Sequence, residues 1–248
     1  MELTFFRIVY SLRADNATFR LENSALLRYI VPKTTEKQMN SYTPIDLATW
    51  KRRKTFEYYR TFQNQLFNIT LEFPAGELYR YAKRNRLSFF LLTLHAILRA
   101  IDSVPQFRQR IVAGEQVIEF RHVAALTPIM TPEEEFVMAL TEYAPSFAEF
   151  REQAEAAVAA AKRGESDPSV RQRNDFICAS CVPWYGFQSL TQAALTLDQS
   201  IVILAWGKLD ASGNIPLALQ LNHALVDGLH VGRFHRALTA LLTAPASL

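Results

Sequence analysis

The chain has 248 residues, enough for one sizeable core or two small ones, and its 49% hydrophobic, 21% charged composition is that of an ordinary globular protein rather than a disordered or fibrous one. The net charge is only +3. Residues 1–38 carry six Lys/Arg against four Asp/Glu, which leaves 21 against 20 in the remainder, so no basic stripe points to nucleic acid. Eight glycines, no G-x-G-x-x-G and no Walker-type lysine motif argue against a phosphate-binding loop.

In chain order, residues 1–38 stand apart. Weak alternation over Thr4–Val9 and a short apolar patch, Ala25–Val31, end at Pro32 and a polar run, and a second methionine, Met39, precedes better-patterned sequence. The segment is expected to be a poorly ordered N-terminal extension or the product of an upstream start; an extra element packed on the core is the alternative. Leu3–Leu12 is broken by Arg7 and no small-residue cleavage site follows, so it does not read as a signal peptide. The longest mainly apolar stretch, Phe89–Leu98, is too short to span a bilayer. A cytoplasmic location is expected.

From Met39 onward helices and strands are mixed. A helix is expected through Arg52–Gln65. Leu66–Phe73 alternates as a half-buried strand. Ala75–Asn85, with Pro74 near its start, reads as an amphipathic helix, and Ser88 caps a nearly all-apolar helix to about Ile101. Gln109–Phe120 predicts a hairpin turning at Gly114. His122–Met130 and Glu135–Thr141 read as strands, and Phe147–Lys162 as an Ala-rich helix. A polar loop over Gly164–Arg173 precedes strands at 175–182, about 186–192, 200–208 and 215–222. The last helix, Leu229–Thr243, places Val231, Phe234, Leu238 and Leu241 on one face. Several strands run consecutively without a steady βαβ rhythm. The fold class is therefore α+β: a large mixed, mainly antiparallel sheet covered by helices on one side.

Two segments could carry chemistry. Cys178 and Cys181 form a C-x-x-C, but inside a strand-like stretch followed by Pro183, not at a helix N-terminus where a thiolate is stabilised. A zinc site needs two further ligands, and no second Cys pair exists. Buried reduced thiols and no metal are expected. The second segment is Asn222-His223-Ala224-Leu225-Val226-Asp227-Gly228, between a strand and a helix. A neutral imidazole at a strand end can serve as general base for a hydroxyl, provided the ring is held in place. The alternatives are a packed histidine ending an apolar strand and an Asp227 that only caps the helix.

The H-x-x-x-D-G of His223, Asp227 and Gly228 resembles the signature shared by chloramphenicol acetyltransferases, dihydrolipoyl acyltransferases and peptide-synthetase condensation domains. With chloramphenicol acetyltransferases the resemblance extends over roughly residues 42–242. It includes Tyr42-Thr43-Pro44-Ile45-Asp46, Trp50-Lys51-Arg52-Arg53 with Tyr59, Pro105-Gln106-Phe107-Arg108, Glu142-Tyr143, Pro183-Trp184 with Phe187 and Ser189, and His230-Val231-Gly232-Arg233. The resemblance implies a CoA-dependent acyltransferase fold assembled as a homotrimer, and a catalytic domain over 39–248. It implies acetyl-CoA as co-substrate and the primary hydroxyl of chloramphenicol as acceptor, with transfer direct and antibiotic inactivation as the outcome. By the same resemblance His223 is the base, Ser189 the oxyanion donor, Asp227 and Arg52 an ion pair that positions His223, and Tyr59 part of the acceptor pocket. Asn222 stands where most antibiotic-inactivating members have a second histidine, and Ala205 where the family often has a threonine. Transfer to another small hydroxyl or thiol acceptor, or a non-catalytic relative that binds CoA or an apolar ligand, is the competing reading.

Overall fold

The computed structural model describes residues 42–248. The expectations for residues 1–38 lie outside the described residues. Nine strands and five α-helices follow: β1 (Tyr42–Pro44), α1 (Arg53–Arg60), β2 (Leu66–Pro74), α2 (Gly76–Asn85), α3 (Phe89–Asp102), β3 (Gln109–Val112), β4 (Gln116–Phe120), β5 (Ala124–Met130), β6 (Phe136–Thr141), α4 (Phe147–Lys162), β7 (Phe176–Cys181), β8 (Ile203–Trp206), β9 (Asn214–Asn222) and α5 (Gly228–Thr243).

A six-stranded sheet in the order β2-β9-β8-β7-β5-β6 organises the molecule. Its β9 pairs antiparallel with both β2 and β8, and β5 antiparallel with β6, whereas β7 runs parallel to β5 and to β8. The sheet is thus mixed with antiparallel pairs in the majority, as the sequence pattern predicted. Alternation explains its two faces. Phe73 on β2, Ile177 and Ala179 on β7, Leu204 and Trp206 on β8, and Leu217, Leu219 and Leu221 on β9 are buried in one core with α2, α3 and α5. The other face carries a smaller cluster of Ala124, Leu126 and Phe176, joined by Met138, Leu140 and Cys178.

The helices form where caps and periodicity agree. Ser88 and Ser146 accept the N–H of Leu91 and Glu149 and start α3 and α4. α3 is apolar all round and buried from Leu91 to Leu98, as its composition predicted. On α5 the buried face is Val231, Phe234, Leu238 and Leu242, so Leu242 takes the place expected for Leu241. The hairpin β3–β4 turns at Gly114, whose φ of +80° suits glycine. It joins β1 in a second, three-stranded sheet. The fully buried Arg110 ties that sheet to the large one by donating to the carbonyls of Phe107, Gln109, Asn174 and Phe176. Burial pushes its guanidinium down to about 10, partly offset by Asp175, so it stays charged at neutral pH.

Two expectations are corrected. α1 ends at Arg60 rather than Gln65, because the Asn64 side chain accepts the Leu66 N–H at 2.9 Å and starts the extended β2. The stretch 186–192 is not a strand. It belongs to a long connection, residues 182–202, between the parallel neighbours β7 and β8, a pairing that needs a crossover. Near its start this connection lies against β8: Lys208 donates to the Tyr185 carbonyl at 3.0 Å, and a Cβ on Gly207 would stand 2.8 Å from Pro216 Cγ and 3.1 Å from both the Phe187 ring and the Tyr185 oxygen. A Gly207→Ala variant is therefore expected to push Tyr185–Phe187 outward at a cost of about 1–3 kcal/mol. Denaturant titration with tryptophan emission, which reports the nearby Trp184, checks it.

Candidate active site

His223 follows β9 directly. Its N–H donates to the Gln65 carbonyl at 2.8 Å, extending the β2–β9 ladder by one step. The imidazole lies between two aromatic rings. Tyr59 of α1 stacks on it at 4.0 Å between centroids with 9° between planes, and Phe67 of β2 sits at 4.6 Å. Nδ1 is buried and has no hydrogen-bond partner among the described residues. The ring is therefore held by stacking rather than by a carboxylate.

The backbone of the same turn is held by Arg52. Its Nε donates to the Ala224 carbonyl at 2.9 Å, its Nη2 to the His223 carbonyl at 2.9 Å, and its Nη1 pairs with Asp227 Oδ2 at 2.5 Å. A guanidinium suits this because its planar fork presents donors in three directions at once. Asp227 divides its oxygens: Oδ2 meets Arg52, while Oδ1 accepts the Leu229 N–H at 3.0 Å and caps α5. Capping and ion pairing, which the sequence offered as alternatives, coexist in one carboxylate. Burial raises the Asp227 carboxyl, but the hydrogen bond and charge of Arg52 and the Leu229 N–H outweigh it and hold the group below its ordinary range.

His230 completes the cap, a role the sequence reading left structural. Its Nδ1 accepts the Asp227 N–H at 3.1 Å, as Glu or Gln does in the usual capping box. The same nitrogen lies 3.0 Å from Asp227 Oδ1, and it cannot both accept and donate. Burial lowers the His230 pKa, which favours the neutral acceptor form. His95, buried between Phe147 and Phe150 with Nε2 at 3.0 Å from the Ala144 carbonyl, is likewise lowered by burial. Both rings thus have folded pKa values below the unfolded value of about 6.5. The stability they contribute is full above that value and declines as pH falls below it, because the unfolded chain takes up protons first. Asp227 adds a further loss below about pH 4. Urea midpoints are expected to be flat between pH 7 and 8 and to fall between pH 6.5 and 5, with the fall reduced in His95→Gln.

Asn222 is also part of the turn. Its Oδ1 accepts the Ala224 N–H at 2.9 Å, so the position that departs from the resembled pattern is occupied by an engaged side chain. Gln65, which the sequence did not single out, supplies both the carbonyl for His223 and a side-chain acceptor for Arg60. Ala205 is buried mid-strand, in register with Ser180 and Ala218. Ser189 lies exposed in the β7–β8 connection and, among the described residues, forms no hydrogen bond with His223, Tyr59, Arg52 or Asp227. The structure thus brings four of the five predicted site residues into direct contact with one another, and Ser189 forms no hydrogen bond with them.

A separate cavity of about 1120 Å³ opens where β5 and β7 part company. The two strands pair only over Ala124–Leu126 and Phe176–Cys178. Beyond that point Ile129, Met130, Phe136, Met138, Trp184 and both cysteines line an apolar space. Neither His223 nor Tyr59 borders it. The cysteines are free, and burial pushes both thiols up to about 11, so neither is a thiolate at neutral pH. Among the described residues no group of three or more His, Cys, Asp or Glu is placed to hold a metal ion, and no helix is long and apolar enough to cross a membrane.

Comparison with known proteins places this architecture. The family model for chloramphenicol acetyltransferase matches residues 39–239. A chloramphenicol acetyltransferase of Klebsiella sp is 28% identical over 205 residues, covering 80% of this chain and 92% of that one. One from Streptomyces acrimycini is 26% identical over 211 residues, covering 83% and 96%. A solved chloramphenicol acetyltransferase structure superposes with a TM-score of 0.75 at 28% identity, covering 81% of this chain and 99% of that one. The cubic core of the pyruvate dehydrogenase multienzyme complex shares the fold at 15% identity, with a TM-score of 0.60 over 78% of this chain and 88% of that one. The fold, the His223 turn and these matches agree: the chain belongs to the chloramphenicol acetyltransferase family of acyltransferases.

Proposed function

We propose that this protein transfers the acetyl group of acetyl-CoA to the primary hydroxyl of chloramphenicol, inactivating the antibiotic. The observation that carries the reading is the held imidazole: His223 stacked on Tyr59, with its own carbonyl gripped by Arg52. With Nδ1 buried, Nε2 is the nitrogen that meets the acceptor hydroxyl. It takes the proton as the hydroxyl oxygen attacks the thioester carbonyl. The tetrahedral intermediate collapses by breaking the C–S bond, and the thiolate of CoA recovers the proton. Ser189 donates a hydrogen bond to the oxyanion in that intermediate. Arg52 and Asp227 hold the turn, and Tyr59 forms part of the acceptor pocket. No metal takes part.

The working form in this reading is a homotrimer, in which His223 of one subunit faces the cavity of its neighbour. Register supports this. Gln220 on β9 pairs with Ile203, which pairs with Cys178, so His223 lies three residues beyond the level at which the cavity begins, and the cavity extends the other way to Trp184. At about 3.3 Å per residue a base at that end does not reach a ligand seated beyond Cys178 in its own chain. Tyr58, Trp184 and Tyr185 are exposed aromatics available to such contacts. Residues 39–248 form the catalytic domain and 1–38 the extension, a division supported by the family match starting at residue 39.

The test is CoA release from acetyl-CoA with and without chloramphenicol. Chloramphenicol-dependent release is expected. Release only with other alcohols or thiols would replace the acceptor, and thermal stabilisation by acetyl-CoA without any turnover would indicate a binding protein instead.

A further inference from the structure

The β7–β8 connection is long and irregular, yet its two ends are anchored differently. Near its start it leans on Gly207 and Lys208. Its last part is fastened under the His223 turn by one buried side chain. Asn222, 3% exposed, donates through Nδ2 to the carbonyls of Asp198 at 3.0 Å and Gln199 at 3.2 Å. Its Oδ1 accepts the Ala224 N–H on the other side. A third, longer contact of Nδ2, 3.4 Å to Gln65 Oε1, stays beside the β2–β9 ladder, while the two shorter ones and the Oδ1 acceptor tie the connection to the turn.

Neighbouring contacts run the same way. The Gln65 N–H donates to the Leu197 carbonyl at 2.9 Å, while the Gln65 carbonyl takes the His223 N–H. Arg60 bonds the Gln65 side chain at 3.1 Å and lies 3.7 Å from Asp198. Earlier in the same connection, Gln192 and Ala193 line the apolar cavity and Ser189 is exposed.

We propose that Asn222 is a positioning residue that latches the last part of the β7–β8 connection to the His223 turn, so that the turn carrying the imidazole keeps its place during acyl transfer. The catalytic half of this inference rests on the function proposed above; the mechanical half does not. A buried amide with both ends engaged can do this because losing either partner leaves an unsatisfied group out of reach of water. Alanine at 222 would free two carbonyls and one N–H. Histidine has one ring nitrogen to donate and one to accept, so it can restore part of the latch.

The experiment compares the full chain with Asn222→Ala and Asn222→His by hydrogen exchange and by steady-state CoA release. In Asn222→Ala, exchange over residues 194–200 is expected to rise about tenfold or more while α3 and β9 stay protected, and kcat to fall about tenfold with a smaller change in KM for acetyl-CoA. Asn222→His is expected to recover most of both. Unchanged loop exchange in Asn222→Ala, a uniform rise across the whole chain, or no recovery in Asn222→His would each overturn the latch. If the wild-type chain releases no CoA with any acceptor, the functional reading fails, and the exchange contrast still decides the latch.

Discussion

His223→Ala is expected to lower chloramphenicol-dependent CoA release by about 10²–10⁴-fold, the usual range for removing a general base, and to leave the chain folded. The fold should survive because the contacts at this residue that shape the turn are made by its main chain. The N–H goes to Gln65 and the carbonyl to Arg52, and alanine keeps both. What alanine removes is the ring between Tyr59 and Phe67, half-buried, so the cost in stability is the stacking and a small cavity, about 1–2 kcal/mol. Activity and stability therefore separate sharply in this variant. Steady-state CoA release together with a urea titration on the same preparation makes the measurement. Turnover that persists undiminished would remove His223 from the chemistry.

Arg52→Ala is expected to do the reverse, damaging stability and catalysis together. The guanidinium is 11% exposed and serves three acceptors; Asp227, at 35% exposed, keeps some access to water. Breaking a buried pair from one side costs about 3–5 kcal/mol, and the partial exposure of Asp227 brings the expectation to roughly 2–4 kcal/mol. The His223 and Ala224 carbonyls lose their donors at the same time, so the turn relaxes and the imidazole loses its fixed direction. Displacements of this kind cost about 10²-fold in rate even far from the reacting atoms. Arg52→Lys should recover little, since an ammonium cannot reach three acceptors in one plane. Urea unfolding and CoA release of both variants check this; a lysine variant matching wild type would mean that the charge alone matters.

Much of this was legible from the chain, for reasons that differ by element. α4 announced itself through its Ala-rich run and the helical spacing of Phe147, Phe150 and Ala154, and the Ser146 cap marks its start. β9 was legible through the alternation of Leu217, Leu219 and Leu221. The stretch 186–192 misled because a mix of apolar and polar residues between two strands looks like another strand, while no partner strand is there to receive it; its start is fixed by close approach of Tyr185 and Phe187 to Gly207, which no local pattern encodes. Arg52 is the sharpest case. Within Lys51-Arg52-Arg53-Lys54 it is indistinguishable from solvated charge, and only the family resemblance singled it out; its acceptors lie more than 170 positions away in sequence. His230 had a readable signal, the third position after a capping Asp, but with an unusual residue in that slot. Gln65 had none, because its main chain, not its side chain, meets His223.

The grip of Arg52 on main-chain oxygens also bears on how such a site tolerates mutation. A bond to a carbonyl does not read the side chain attached to it. Ala224, Leu225 and Val226 are buried between His223 and Asp227, so they answer to volume and apolarity alone and can drift among small hydrophobic residues without altering the hold on the turn. Arg52 and Asp227 have no such latitude, since each answers to the other and to further partners. A saturation library across 222–228 would then show a graded, size-limited tolerance at three central positions bounded by abrupt intolerance at His223 and Asp227. The site would be robust in its interior and brittle at its ends.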